Sequence, residues 1–264
     1  MKYFNMKTAL SVKLTICSLI AFLFGIEIAK AQSEIQNPKS EIDSAEAYQE
    51  KQFKIGKVTF GLKAGYTHSN LYGNEIDYIF ADSKTTALPS FHAGIVVNSQ
   101  VGKYFWLKHE LLLNQRGAGV SLNDSINGNY ASTLKMLYLD LYPISPTFHY
   151  KGFQIYAGPY VSALTYASIQ RKDENGKLFN DKSIFGDPGN SERYGENKYL
   201  QKFDFGLNAG IEYQFPFGLL IGIKYNHGFT DIFQYANSYT NGDTKVDNIK
   251  IYNKALMFSL GYSF

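Results

Sequence analysis

From Val58 onward, bulky apolar residues alternate with small or polar ones at a period of two, the signature of strands with one apolar face. Eight segments carry it. In 58–69, Val58, Phe60, Leu62, Ala64 and Tyr66 share one face, and Thr59, Gly61, Lys63, Gly65 and Thr67 the other. Segment 90–99 sets Phe91, Ala93, Ile95 and Val97 against His92, Gly94 and Asn98. Segment 103–115 sets Phe105, Leu107, Leu111 and Leu113 against Trp106, Lys108, Glu110 and Asn114, and 133–144 sets Leu137, Leu139 and Leu141 against Tyr138 and Asp140. The alternation in 152–164 is less clean and leaves its facing open. Segment 202–215 is the clearest: Phe203, Phe205, Leu207, Ala209, Ile211 and Tyr213 alternate with Asp204, Gly206, Asn208, Gly210 and Glu212. In 218–230, Leu219, Ile221, Ile223 and Tyr225 oppose Gly222, Lys224 and Asn226; in 254–264, Leu256, Phe258, Leu260, Tyr262 and Phe264 oppose Met257, Ser259, Gly261 and Ser263.

Each run is about 10–13 residues long, enough to cross a bilayer as a tilted strand. Strands of a soluble sandwich average about 5–6 residues. The links alternate in length. Short ones lie around Gln100–Gly102, Ser145–Lys151 and Pro216–Phe217; long ones run Asn70–Pro89, Arg116–Ser132, Thr165–Gln201 and Asp231–Asn253. The pattern predicts an all-β fold: an eight-stranded antiparallel up-and-down transmembrane β-barrel with short periplasmic turns and long outer loops.

The content of the two faces assigns them. An eight-stranded barrel is narrow and must be filled by its own side chains. The face of Gly, Ser, Thr, Asn and charge fits that interior, and the bulky face fits lipid. The interior then holds Lys63, Lys108, Arg116 and Lys224 against Glu110, Asp140, Asp204 and Glu212. The balance matters because an unpaired buried charge is expensive. Aromatics gather at strand ends, among them Tyr66, Tyr72, Tyr142, Tyr213, Phe215 and Phe229, as interfacial girdles would require. The last stripe, Phe258, Leu260, Tyr262 and Phe264, reads as an insertion signal for the barrel-assembly machinery.

The first 31 residues differ from the rest. Lys2, Lys7 and Lys13 precede the apolar stretch Leu14–Ile26, and Ala29-Lys30-Ala31 supplies small residues for cleavage. The expected division is a signal peptide over 1–31, cut after Ala31; a polar periplasmic arm over 32–56; and the barrel over 57–264. The only cysteine, Cys17, lies in the leader behind Ile16, a poor context for lipidation. The leader holds four of the 26 basic residues and one of the 23 acidic ones, leaving 22 of each beyond it. A formally neutral remainder has no general pull toward nucleic acid. The 21 Tyr, 20 Phe and 23 Gly favour strands and turns, and a mean hydropathy of −0.23 argues against a bundle of membrane helices.

Chemistry is harder to find. His68 and Ser69 are adjacent and so point to opposite faces of a strand. His109 stands among leucines with no Ser two positions away, and His227 with Asp231 is the nearest approach to an acid–base pair at the rim. No phosphate loop, zinc spacing or dinucleotide fingerprint occurs, and Asp173, Glu174 and Asp187 lack the spacing of a calcium loop. No catalytic, cofactor or metal residue is therefore assigned.

The segments GLKAGYTHSNL (61–71), HELLLNQRG (109–117), LYLDLYPI (137–144), YAGPYV (156–161), FGLNAGIEYQF (205–215), IGIKYNHGFTDI (221–232) and LGYSF (260–264) resemble, in order and spacing, the PorT-like outer-membrane β-barrels of Gram-negative bacteria. The resemblance covers 58–264. Asp140 and Pro143, with two residues between them, fit that pattern only loosely. It implies an outer-membrane location and, for some members, association with protein-secretion machinery. The expected function is a non-enzymatic anchor or interaction protein, accessory to secretion or envelope assembly. Its expected partners are outer-membrane lipid, the assembly machinery during insertion, and envelope proteins. A narrow pore and a lipid-modifying enzyme remain the alternatives. Fold alone does not choose among them.

Overall fold

Alternation at a period of two lets a strand present one face to each of two environments, and here the strands close into a ring. The computed structural model describes residues 56–73, 76, 80–82, 84–182, 200–233, 239–241, 244–246 and 250–264. The expected leader (1–31) lies outside the described residues, as does the expected arm (32–56) apart from Gly56.

Eight long strands form the ring: β1 (Val58–Tyr72), β2 (Thr85–Gln100), β3 (Phe105–Asp124), β4 (Gly128–Tyr150), β5 (Phe153–Lys172), β7 (Phe203–Gln214), β8 (Leu219–Gly228) and β11 (Tyr252–Ser263). Each pairs antiparallel with its neighbours in chain order, and β1 pairs with β11 to complete the circle. Three short strands belong to the links: β6 (Leu178–Asp181) extends the sheet beside β5, while β9 (Tyr239–Asn241) and β10 (Thr244–Val246) pair with each other. Closure removes the open edges that an isolated sheet would expose.

The turns at one end are tight. β4 and β5 are joined by Lys151 (φ 50) and Gly152 (φ 86) alone, a pair of positive-φ residues suited to the twist of a hairpin. β7 and β8 are joined across Phe215–Gly218, where the Gly218 amide bonds to the Phe215 carbonyl at 2.9 Å.

At the other end the strands run well past the expected boundaries. β3, β4 and β5 have 20, 23 and 20 residues, about twice what a bilayer crossing needs. Arg116–Ser132, expected as an outer loop, is mainly a β-hairpin whose connection is only Ser125–Asn127. The expected link Ser145–Lys151 is likewise strand as far as Tyr150. Thr165, the expected start of another long loop, lies inside β5 at a bulge where Leu137 pairs with Tyr166 and Tyr138 with Leu164.

The long extensions survive because the polarity of the barrel reverses along its axis. In the lower part, Leu62, Ile95, Leu113, Ile155, Leu207 and Ile223 point outward and are exposed. Above Arg116 the apolar residues turn inward. Ala118, Val120, Leu134, Met136, Leu164 and Ile169 form a buried cluster, and Phe80, Leu200, Ile232, Phe233 and Ile251 from the links pack into it. The lower part therefore has the polarity of a protein in lipid, and the upper part that of one in water.

Candidate functional site in the barrel interior

Within the lower part, inward positions bring charged side chains from distant segments into a space too narrow for bulk water. Lys63 on β1, Lys108 and Glu110 on β3, Glu212 on β7 and Lys224 on β8 are each almost wholly buried. They form one chain of contacts. The Lys63 ammonium donates to both Glu110 and Glu212; Lys224 donates to the second oxygen of Glu110, and Lys108 to the second oxygen of Glu212. Each glutamate thus bridges two lysines. The Tyr156 hydroxyl donates to Glu212 at 2.8 Å, the Lys108 ammonium sits 4.1 Å from the centre of the Tyr156 ring, and that of Lys224 sits 3.7 Å from the Tyr142 ring.

A second cluster lies further from the short-turn end. Arg116 is held between Asp140 at 2.5 Å and Asp204 at 2.8 Å, and donates to the Ser162 hydroxyl at 3.0 Å. Its guanidinium carbon is 4.9 Å from the Tyr138 ring centre and 5.2 Å from that of Tyr160. The carboxylates take further bonds: Asn114 donates to Asp140 at 2.9 Å, Tyr160 to Asp204 at 3.2 Å and Asn253 to Asp204 at 3.3 Å. The lower cluster carries three cations against two anions, and the upper one cation against two anions. The two excesses cancel only when both clusters are present.

Bulk in the interior comes from tyrosines, of which the sequence pattern places only Tyr138. Tyr138, Tyr142, Tyr156 and Tyr160 are all buried inside. Tyr142, expected in an interfacial girdle, is an interior residue that donates to Asp140 at 3.3 Å and accepts from Asn226 at 2.6 Å. The facing of β5 also follows: Gln154, Tyr156, Tyr160 and Ser162 point in, while Phe153, Ile155, Ala157 and Pro159 point out. Two of these tyrosines lie over inward glycines of β7, with Tyr160 paired to Gly206 and Tyr156 to Gly210. That pairing of Tyr on one strand with Gly on the next was the available signal. A methyl group added at Gly210 would stand 2.5 Å from the Tyr156 phenol. Gly210→Ala should therefore cost about 1–3 kcal/mol, read from urea unfolding in lipid vesicles, because Tyr156 is fixed by Glu212 and Lys108 and cannot yield freely. A neutral substitution would show that the ring is loosely held.

The histidines do not converge on a reactive group. His92 is buried, with its two ring nitrogens 2.9 Å from the Thr67 hydroxyl and 2.8 Å from the Ser259 hydroxyl. His68 faces out while Ser69 faces in and bonds to the backbone of Gly117. His109 contacts the Pro143 carbonyl. His227 stacks on Tyr72 at 4.8 Å, whereas the Asp231 carboxylate accepts from the backbone amides of Phe233 and Ile251. Asp173 accepts from the amides of Asn175 and Lys177 within its own turn. Phe258, Leu260, Tyr262 and Phe264 all face outward at the end of the chain. What this interior does chemically is hold charge in place: every ion pair in it is shut away from solvent.

The family model described as outer membrane protein beta-barrel domain matches residues 31–234. Solved structures similar to the chain include the attachment invasion locus protein Ail of Yersinia pestis in complex with the heparin analogue sucrose octasulfate, at 10% identity and a TM-score of 0.38, covering 79% of this chain and 100% of that one. Neisserial surface protein A is similar at 10% identity and a TM-score of 0.42, with the same coverage. The outer membrane protein OprG of Pseudomonas aeruginosa is similar at 15% identity and 0.34, covering 78% and 95%. No curated protein matches the sequence.

Proposed function

The chain belongs to the outer membrane protein β-barrel domain family, and from that premise we propose that it is a non-conducting, non-enzymatic barrel that anchors an interaction surface at the outer membrane. The observation that carries this reading is the filled interior. Two stacked ion-pair clusters and an apolar cap occupy the axis, and a permeating ion would have to displace buried charges from their partners.

The outer hairpins are the surface offered to a partner. Beyond Leu113, the last outward leucine of β3, the strand continues for eleven residues to Asp124, which is about 35 Å at the rise of a β-strand. Hairpin tips are tied together there, since the Asn127 side chain donates to the Asp173 carbonyl at 3.2 Å. A braced platform suits docking better than a gate. The resemblance to PorT-like barrels supports an accessory role in secretion or envelope assembly, with export directed by a leader cut after Ala31.

Purified protein in planar bilayers should give no stable channel. Steady single-channel conductance would favour the pore reading instead. The partner is then sought by crosslinking from hairpin positions 121–129 in intact cells: a specific adduct supports the interaction role, and lipid acyl changes on deletion would support an enzyme.

A further inference from the structure

The outward face of β1, β11 and β8 changes character along neighbouring rungs of the ladder. Tyr66, Phe258 and Ile223 share one rung, and His68, Leu256 and Tyr225 the next on that face. Beyond them, Asn70, Lys254 and His227 sit side by side, followed by Tyr72 opposite Tyr252. The face is thus apolar toward the short-turn end and turns basic and phenolic within two rungs.

The side chains on it are organised. The Tyr72 ring stacks on His227 at 4.8 Å and lies 5.3 Å from Tyr252. The Tyr72 hydroxyl donates to the Gly228 carbonyl at 2.6 Å and is 2.8 Å from His227 Nε2, and the Tyr225 hydroxyl is 3.3 Å from Nδ1 of the same ring, so both ring nitrogens are held. The Lys254 ammonium lies 5.8 Å from the Tyr72 ring centre and, among the described residues, makes no ion pair. β1, β8 and β11 contain no Asp or Glu at all. Three basic side chains and four phenols are therefore gathered with no carboxylate on their strands. They stand at the long-link end, where the apolar band stops, which in an outer-membrane barrel is the headgroup level of the outer leaflet.

We infer that this patch is a binding site for a phosphorylated lipid of the outer leaflet. Lys254 takes the phosphate, held beside it by the Tyr72–His227 stack, the Asn70 side-chain amide and the Tyr252 hydroxyl supply further donors, and the acyl chains run down over Leu256, Phe258 and Ile223. Charge complementarity selects the headgroup, and continuity with the hydrocarbon-facing stripe makes the occupant a lipid and not a free anion. A lysine at a membrane surface contributes an attraction to anionic lipid that changes binding by about fivefold.

The test is native mass spectrometry of the full-length mature protein released from detergent with diphosphoryl lipid A, or with the same lipid stripped of its phosphates. The wild type should retain the diphosphoryl form in preference. Lys254→Gln should weaken retention by about fivefold and Lys254→Arg should restore it. Lys135→Gln, an outward lysine on β4 away from the patch, should change nothing. The inference is overturned if Lys254→Gln binds like the wild type, if Lys135→Gln loses as much, or if the phosphate-free lipid is held equally well. The gel mobility of the folded barrel, compared before and after heating, verifies that each variant is inserted and closed.

Discussion

Glu212→Ala should destabilise the folded barrel by about 3–5 kcal/mol, the scale on which removing one partner of a buried ion pair is felt. The carboxylate accepts from two lysines and a tyrosine at once. Without it, Lys108 loses the carboxylate it pairs with, Lys63 keeps only Glu110, and the lower cluster goes from three cations and two anions to three and one. Against a total stability of about 5–15 kcal/mol for an ordinary domain, that is a large share. Urea unfolding in vesicles measures it as a fall in the midpoint at unchanged slope. Glu212→Gln, which keeps the shape, should cost less in the same direction. A loss for Glu212→Ala under about 1 kcal/mol, the range of exposed pairs, would mean that the lysine heads are hydrated and the interior is open to water.

Leu207→Arg should cost about 2–4 kcal/mol if lipid surrounds that position. Leu207 is exposed near the middle of β7, between inward Gly206 and Asn208. Asn208→Ser, one position on, loses a 2.7 Å bond from its amide to the Gly158 carbonyl and should cost only about 1 kcal/mol. The contrast between neighbours, read in the same unfolding assay, is what an outside made of hydrocarbon demands. Equal costs at the two positions would remove the facing assignment.

The eight strands of the ring and their order were legible because each depends on local period and on turn residues; the alternation of long and short links fails between β3 and β4, which Ser125–Asn127 alone connect. Strand length was not. Between Arg116 and Ser132 the alternation does not stop; its sign inverts, with Ala118 and Val120 now inside. A reader looking for leucines facing lipid sees the signal end there, although the backbone pairing continues to Asp124 and Gly128. The polarity switch marks the water boundary and not the end of the strand. Tyr142 shows a second limit: on composition, a Tyr near a strand end suggests the membrane interface, but its register places it against Asp140 and Asn226 inside.

For the charged residues, the pattern gave each one a face and no partner. Lys63 meets Glu110 at a separation of 47 residues and Glu212 at 149. Contacts of that kind arise from closure and from the stagger of the strands, neither of which is written in any one segment. The cluster at Lys254 and His227 was hidden for the same reason. Its members come from three strands that become neighbours only when β11 inserts between β1 and β8.

The central claim is a dry, charge-filled interior inside an apolar shell, and a collision scan along β7 tests it most directly. In a Cys17→Ser background, single cysteines at positions 204–212 carry a small probe in vesicles. Lipid-borne quencher should reach Phe205, Leu207, Ala209 and Ile211, and neither lipid-borne nor water-borne quencher should reach Asp204, Gly206, Asn208, Gly210 and Glu212. Water-borne quenching at Asn208 or Glu212, or a scan without a period of two, would contradict the account.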